Sequence, residues 1–118
     1  MNLAIRRVSD AGNLAKERLV LYAESDVDVG RFILCRSTVL GEGEVSTKIR
    51  SSFWLPDLSV NAGDLVIIYT KSGKNSTRTN NDGSKSHFLY RGLTGPLWNE
   101  DNACAVLFET EDWEMKKV

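Results

Sequence analysis

Apolar residues along this chain arrive in short bursts separated by polar turns. "LAIRRV" (3–8), "RLVLYA" (18–23), "RFILCR" (31–36), "DLVIIYT" (64–70), "HFLYRG" (87–92) and "ACAVLFE" (103–109) are rich in β-branched and aromatic side chains. Clusters of Gly, Asn, Asp or Ser bound each burst, which is the composition of strands joined by turns. "VSTKI" (45–49) and "WEMKKV" (113–118) are weaker strand candidates. "DLVIIYT" and "RFILCR" are nearly continuous apolar runs, which predicts central strands buried on both faces. The others present one apolar face, as Leu19 and Leu21 do. "NLAKERLVLY" (13–22) is the best helical contender, yet its polar start and β-branched end predict a turn leading into a strand. Strands at this density with no helix between them predict an all-β, antiparallel sandwich or barrel, with its interior lined by the segments around Ile33, Ile67 and Val106.

Turn chemistry sharpens the pattern. Asn61-Ala62-Gly63-Asp64 stands between apolar residues, and Gly63 can take a positive φ without penalty. Pro56 interrupts any ladder and predicts an edge segment or a crossing between sheets. From Lys71 to Ser86 no apolar residue occurs, which predicts a long, flexible surface excursion. No repeat or linker divides the sequence, so residues 1–118 are read as a single domain.

Composition adds mainly exclusions. With 118 residues, 42% of them hydrophobic and 26% charged, the chain can bury a core without metal or disulfide staples. A net charge of −1 gives no global attraction to nucleic acid or to an anionic membrane, so such a partner needs a local patch. No apolar run approaches the roughly 18 residues of a membrane span. "MNLAIRRVSDAGN" puts its basic pair after a short apolar start, the reverse of a secretory signal, and the expected location is the cytoplasm. In that compartment Cys35 and Cys104 are expected as reduced thiols packed as small hydrophobes, although their separation would also suit a disulfide between facing sheets.

Three blocks resemble the lamin tail domain, an immunoglobulin-like β-sandwich. "ERLVLYAESDVDVGRFILC" is similar to that family's opening pattern, matched by Glu17, Leu19, Leu21, Val29, Gly30 and Phe32. "FWLPDLSVNAGDLVIIYTKSG" is similar to the middle block, and "LWNEDNACAVLFETED" to the last. Gly30-Arg31-Phe32 replaces the usual Gly-Trp, and Ala62-Gly63 replaces Pro-Gly. The resemblance implies a lamin-tail-like sandwich and a non-catalytic adaptor role. Members bind proteins and sometimes DNA, and the family has no shared active site to carry over.

The candidate chemistry is sparse. "SGKNST" lacks the spacing of a phosphate loop: Asn75 follows Gly73-Lys74, and Ile68 stands where the earlier glycine belongs. As a basic finger it fits better. Lys71, Lys74, Arg78 and Lys85 face a single carboxylate, Asp82, with Arg91 just beyond. Cations interleaved with Ser, Thr and Asn suit a phosphate backbone, whereas a solvated loop is the plainer reading. "ESDVDVG" fails the calcium-loop spacing, with Val29 and Cys35 at the sixth and twelfth positions. One histidine, His87, and two distant thiols make no zinc site by the usual spacing, so no metal or cofactor is assigned. Enzymatic activity is not expected, and no small-molecule substrate is evident. Around Trp113, the carboxylates Glu109, Glu111, Asp112 and Glu114 form an acidic edge suited to a basic partner or to head-to-tail self-association. The expected function is a protein-interaction module, with electrostatic nucleic-acid binding through residues 71–91 as the alternative.

Overall fold

The computed structural model describes residues 1–118 and contains no α-helix. Eleven strands follow in order: β1 (Leu3–Ser9), β2 (Arg18–Ala23), β3 (Val27–Asp28), β4 (Phe32–Gly41), β5 (Glu44–Val45), β6 (Arg50–Trp54), β7 (Ser59–Val60), β8 (Leu65–Tyr69), β9 (Ser76–Thr79), β10 (Lys85–Tyr90) and β11 (Ala103–Glu109). A single 3-10 turn, Val29–Arg31, joins β3 to β4. The first sheet runs β1-β2-β8-β10-β9. In the second, β4 lies between β11 and β6, with β5 folded back on the far end of β4. A short β3–β7 ladder closes one end.

Both large sheets contribute to one core. Leu19, Leu21, Val66, Ile68 and Leu89 come from the first sheet, and Phe32 and Leu34 from the second, with Phe53 and Leu107 partly buried against them. Trp98 and Leu97 seal the core from the segment before β11. Two layers around one apolar interior are compatible with a β-sandwich.

Several expectations need correction. Ile33, Ile67 and Val106 do not line the interior; they are half-buried on the outer faces, and their chain neighbours point inward. The period of a strand is two, so a continuous apolar run reveals a strand without revealing which of its faces is the core. Neither "RFILCR" nor "DLVIIYT" is wholly buried on both sides. Residues 71–86 are not a slack excursion, since Ser76–Thr79 form β9 and pair with β10 across a turn containing Gly83 at φ 87°. The sheet is also not wholly antiparallel: β10 pairs with β8 in parallel. Polar, fully exposed β9 occupies the edge, so apolar β10 takes the inner position beside β8. The 113–118 segment forms no strand, and the 45–49 candidate shrinks to Glu44–Val45.

The turn at Gly63 forms as expected, with φ at 91°. Cys35 and Cys104 lie on adjacent strands of the same sheet, where Cys35 is opposite Val106 and Cys104 opposite Ser37. Two thiols in one sheet cannot bridge facing sheets, so that alternative falls.

Candidate functional site

The outer face of the second sheet is apolar and open. Cross-strand register sets Phe108, Ile33 and Trp54 in one row, with Val106 and Cys35 in the next. Residues 46–48 are drawn over this face because the Ser37 hydroxyl donates to the carbonyls of Ser46 (2.6 Å) and Lys48 (3.2 Å). Ile49 follows directly and walls a groove of about 690 Å³ floored by Ile33 and Cys35. A second hollow of about 340 Å³ continues it past Val45 and Val106. Phe108, Ile49 and Trp54 remain 43%, 48% and 47% exposed. Burying apolar surface is worth about 25 cal/mol per Å², so this row leaves unrealised the stabilisation that covering it would give.

Aromatic packing closes one end of the groove. Trp54 Nε1 donates to the Gly30 carbonyl at 2.8 Å, which fixes the indole on the rim. Trp113 meets it edge-on, with ring centroids 4.9 Å apart. Trp113 itself is 63% exposed. Glu109 and Glu111 line the groove, and Glu109 pairs with Arg31 at 3.5 Å. At the floor, burial pushes the Cys35 thiol up, a smaller opposing pull coming from Arg91. Cys35 is thus a free thiol held in a buried, apolar setting.

The predicted cationic residues do not form one finger. Arg78 lies on β9 with its guanidinium 5.3 Å above the Phe88 ring, and Lys71 Nζ lies 5.1 Å from the centre of Tyr69. Lys74 is exposed on the connecting loop, which lies close against Tyr90: a Cβ at Gly73 would overlap that ring. Lys85 alternates with Ser86 and belongs to the opposite face of β10 from Phe88. Arg91 turns toward the second sheet, donating to the carbonyls of Ser51 (2.8 Å) and Ser52 (3.3 Å) with Phe53 beneath it. Lys71 and Arg78 thus share the outer face of the first sheet, whereas Arg91 ties the two sheets together and Trp113 serves the second.

The buried ionisable groups are closed on themselves. Glu17 accepts hydrogen bonds from the backbone N–H groups of Gly12, Leu97 and Trp98 and from the Thr70 hydroxyl. Burial pushes its carboxyl up, but these four donors outweigh burial and hold it below the usual carboxylate range. Asp64 lies 2.9 Å from His87 Nε2 and accepts the N–H groups of Asn61 and Lys85; burial raises it, and these bonds bring it below its ordinary value. Thr77 Oγ1 is 3.1 Å from His87 Nδ1, so both ring nitrogens are engaged. A hydroxyl, an imidazole and a carboxylate in line resemble a relay, but His87 is 5% exposed and lines none of the cavities. It braces β8, β9 and β10 at the end of the sheet. With Cys35 and Cys104 on the outer face of the other sheet, no Cys–His pair is assembled.

The groove residues Ile33, Ile49 and Phe108 were not anticipated as a surface. For Ile33 the signal was the unbroken apolar run of "RFILCR", which leaves apolar side chains on both faces of β4. Compared with known proteins, the chain matches no family model, no curated protein and no solved structure.

Proposed function

We propose that this chain is a non-catalytic protein-interaction module, an immunoglobulin-like sandwich of the lamin-tail type, that binds through the outer face of its second sheet. One observation carries the reading: Phe108, Trp54 and Ile49 stand half-exposed around a groove floored by Ile33, with acidic residues at its rim. The occupant that fits is a segment of another protein with apolar side chains for the groove and Lys or Arg at its flanks for Glu109, Glu111 and Glu114. The family resemblance supports the fold part of the reading through its opening block. Glu17, Leu19, Leu21, Val29, Gly30 and Phe32 are all buried, and Gly30 packs so closely on Asp57 that a side chain would collide with it.

Selection of displayed random peptides on the immobilised chain tests the proposal. The expected result is enrichment of an apolar core with basic flanks, binding that weakens with salt, and loss of at least tenfold affinity on Phe108→Glu. Enriched peptides without that pattern, or binding indifferent to Phe108→Glu, would overturn it. A concentration-dependent dimer that buries the groove would also overturn it, by making a second copy the occupant.

A further inference from the structure

The outer face of the five-stranded sheet carries three cross-strand rows. Ala4, Tyr22, Leu65, Ser86 and Arg78 form the first; Arg7, Val20, Ile67, Phe88 and Ser76 the second; Ser9, Arg18, Tyr69 and Tyr90 the third. A bulge between Ile5 and Arg7 brings Arg6 onto this face as well, its guanidinium 4.1 Å from the centre of the Tyr22 ring. Between the two edges lies a trough of about 560 Å³. Its floor is Tyr22, Leu65 and Ile67, and its walls carry Arg6 and Arg7 from β1 and Arg78 from β9.

The charge of this trough is unbalanced. Arg6, Arg7 and Arg78 take part in none of the ion pairs of the molecule, whereas Arg18, Arg31 and Arg36 each have a carboxylate. Asp82 is the single acid lining the trough, and its carboxylate accepts from the Ser84 N–H and hydroxyl. Three guanidinium groups around one hollow repel one another unless an anion joins them. Stacking on aromatic rings restrains two of them, which lowers the ordering cost when they grip a ligand.

We infer that this face binds single-stranded nucleic acid, with Arg6, Arg7 and Arg78 on its phosphates and bases lying over Tyr22, Leu65 and Ile67. Flat apolar floor and guanidinium walls match the two halves of a nucleotide. Exposed bases stack on guanidinium planes as they do on rings, and Arg6 laid over Tyr22 and Arg78 laid over Phe88 present two such planes. The Tyr69–Tyr90 stack, 5.3 Å between centroids, extends the platform toward Lys71. A duplex hides its bases and would use only the cations, so single strands are favoured. This surface is distinct from the protein-binding groove, which belongs to the other sheet. It differs also from a basic 71–91 loop, because two of its three arginines and its central tyrosine come from β1 and β2.

Fluorescence anisotropy with a labelled oligothymidylate and a labelled duplex of equal length tests the inference. Single strand is expected to bind more tightly than duplex. Three neutralised phosphates give a salt slope of about −2, so affinity falls roughly twentyfold between about 50 and about 200 mM salt. The Arg6→Ala, Arg7→Ala, Arg78→Ala variant should lose at least tenfold, and Tyr22→Leu about tenfold with the charge intact. All three arginines are exposed, so the fold should persist by circular dichroism; Arg6→Glu alone provides the same readout should the triple variant fail. Four results would overturn the inference: no binding at low salt, duplex bound as tightly as single strand, tripolyphosphate competing as well as the oligonucleotide at equal phosphate, or unchanged binding by both arginine variants.

Discussion

The two sheets share one core but present opposite outer faces. On the first, every aromatic ring has a partner: Arg6 on Tyr22, Arg78 on Phe88, and Lys71 on the stacked pair Tyr69 and Tyr90. On the second, Phe108, Ile49 and Val45 are open, and the charged residues lining the groove, Glu109 and Glu111, are acidic. The difference shows how an apolar outward face can be managed. Long cationic side chains lay their stems and planar heads over rings and keep the first face soluble. The second has no such cover. Opposite signs on opposite faces would keep the two proposed ligands apart: an anion suited to one trough is repelled by the rim of the other.

The strongest way to break the comparison is to remove the frame on which both faces rest. Glu17 joins the start of β2 to Thr70 beyond β8 and to Leu97 and Trp98 before β11, so it holds the two sheets in relation. Glu17→Ala strands four donors, three of them buried, and should cost about 3–5 kcal/mol in urea denaturation. Both faces should be lost together. Glu17→Gln keeps one acceptor oxygen but turns an NH2 toward backbone donors, and about 2 kcal/mol is expected. A cost under about 1 kcal/mol for Glu17→Ala would mean that the sheets are held by the apolar core alone.

Acid should reach the same frame. The folded carboxyls of Glu17 and Asp64 take up protons at lower pH than they would in the unfolded chain. On acidification the unfolded state therefore binds protons first, and stability falls. The contribution is complete above the ordinary carboxylate range and is lost as pH drops through the lowered folded values. Urea midpoints should decline from about pH 5 to about pH 3, and Glu17→Gln should flatten that decline. An unchanged slope in the variant would remove Glu17 from the explanation.

A local substitution can separate the faces. Gly73 lies against the Tyr90 ring, and the same loop accepts the Tyr90 N–H on Asn75 Oδ1 at 3.1 Å. Gly73→Val should force the loop away at a cost of about 1–3 kcal/mol. Amide exchange should accelerate at Tyr90 and at Gly92, whose N–H donates to the Lys71 carbonyl, while the 46–49 segment keeps its wild-type rates. Acceleration over both regions would show that the two faces are mechanically one.

What the sequence revealed, and what it hid, follows the same division. The apolar bursts located β1, β2, β4, β8, β10 and β11, because each has inward residues such as Leu19, Phe32 or Val66 that only a core explains. β9 was hidden because Ser76, Thr77, Arg78 and Thr79 are polar on both faces, as an edge strand over solvent permits. β6 was hidden for a related reason: only Phe53 packs against the core, while Arg50, Ser51 and Ser52 are exposed. The groove was the least legible feature. Ile33 and Val106 look like core in any hydropathy reading, and alternation could not say that they were the half facing out. The arginine trough was equally opaque, since Arg6, Arg7 and Arg78 are about 70 positions apart in part and meet only through the pairing of five strands.

The smallest expected effect is the most discriminating. Ile49 follows the loop that walls the groove, 48% exposed, and belongs to no strand. If the second face exists for a partner, Ile49→Ser should change folding stability by less than about 0.5 kcal/mol, since a surface substitution with no buried partner rarely does more. The same variant should weaken the peptide selected on the wild-type groove by at least tenfold. Arg6→Ala on the opposite face is the matched control: it should lose about 0.5–1 kcal/mol of cation–π contact and leave that peptide untouched. Were Ile49→Ser to unfold the chain as readily as it weakened the peptide, the groove would be part of the core's outer packing, and the contrast between the faces would lose its functional meaning.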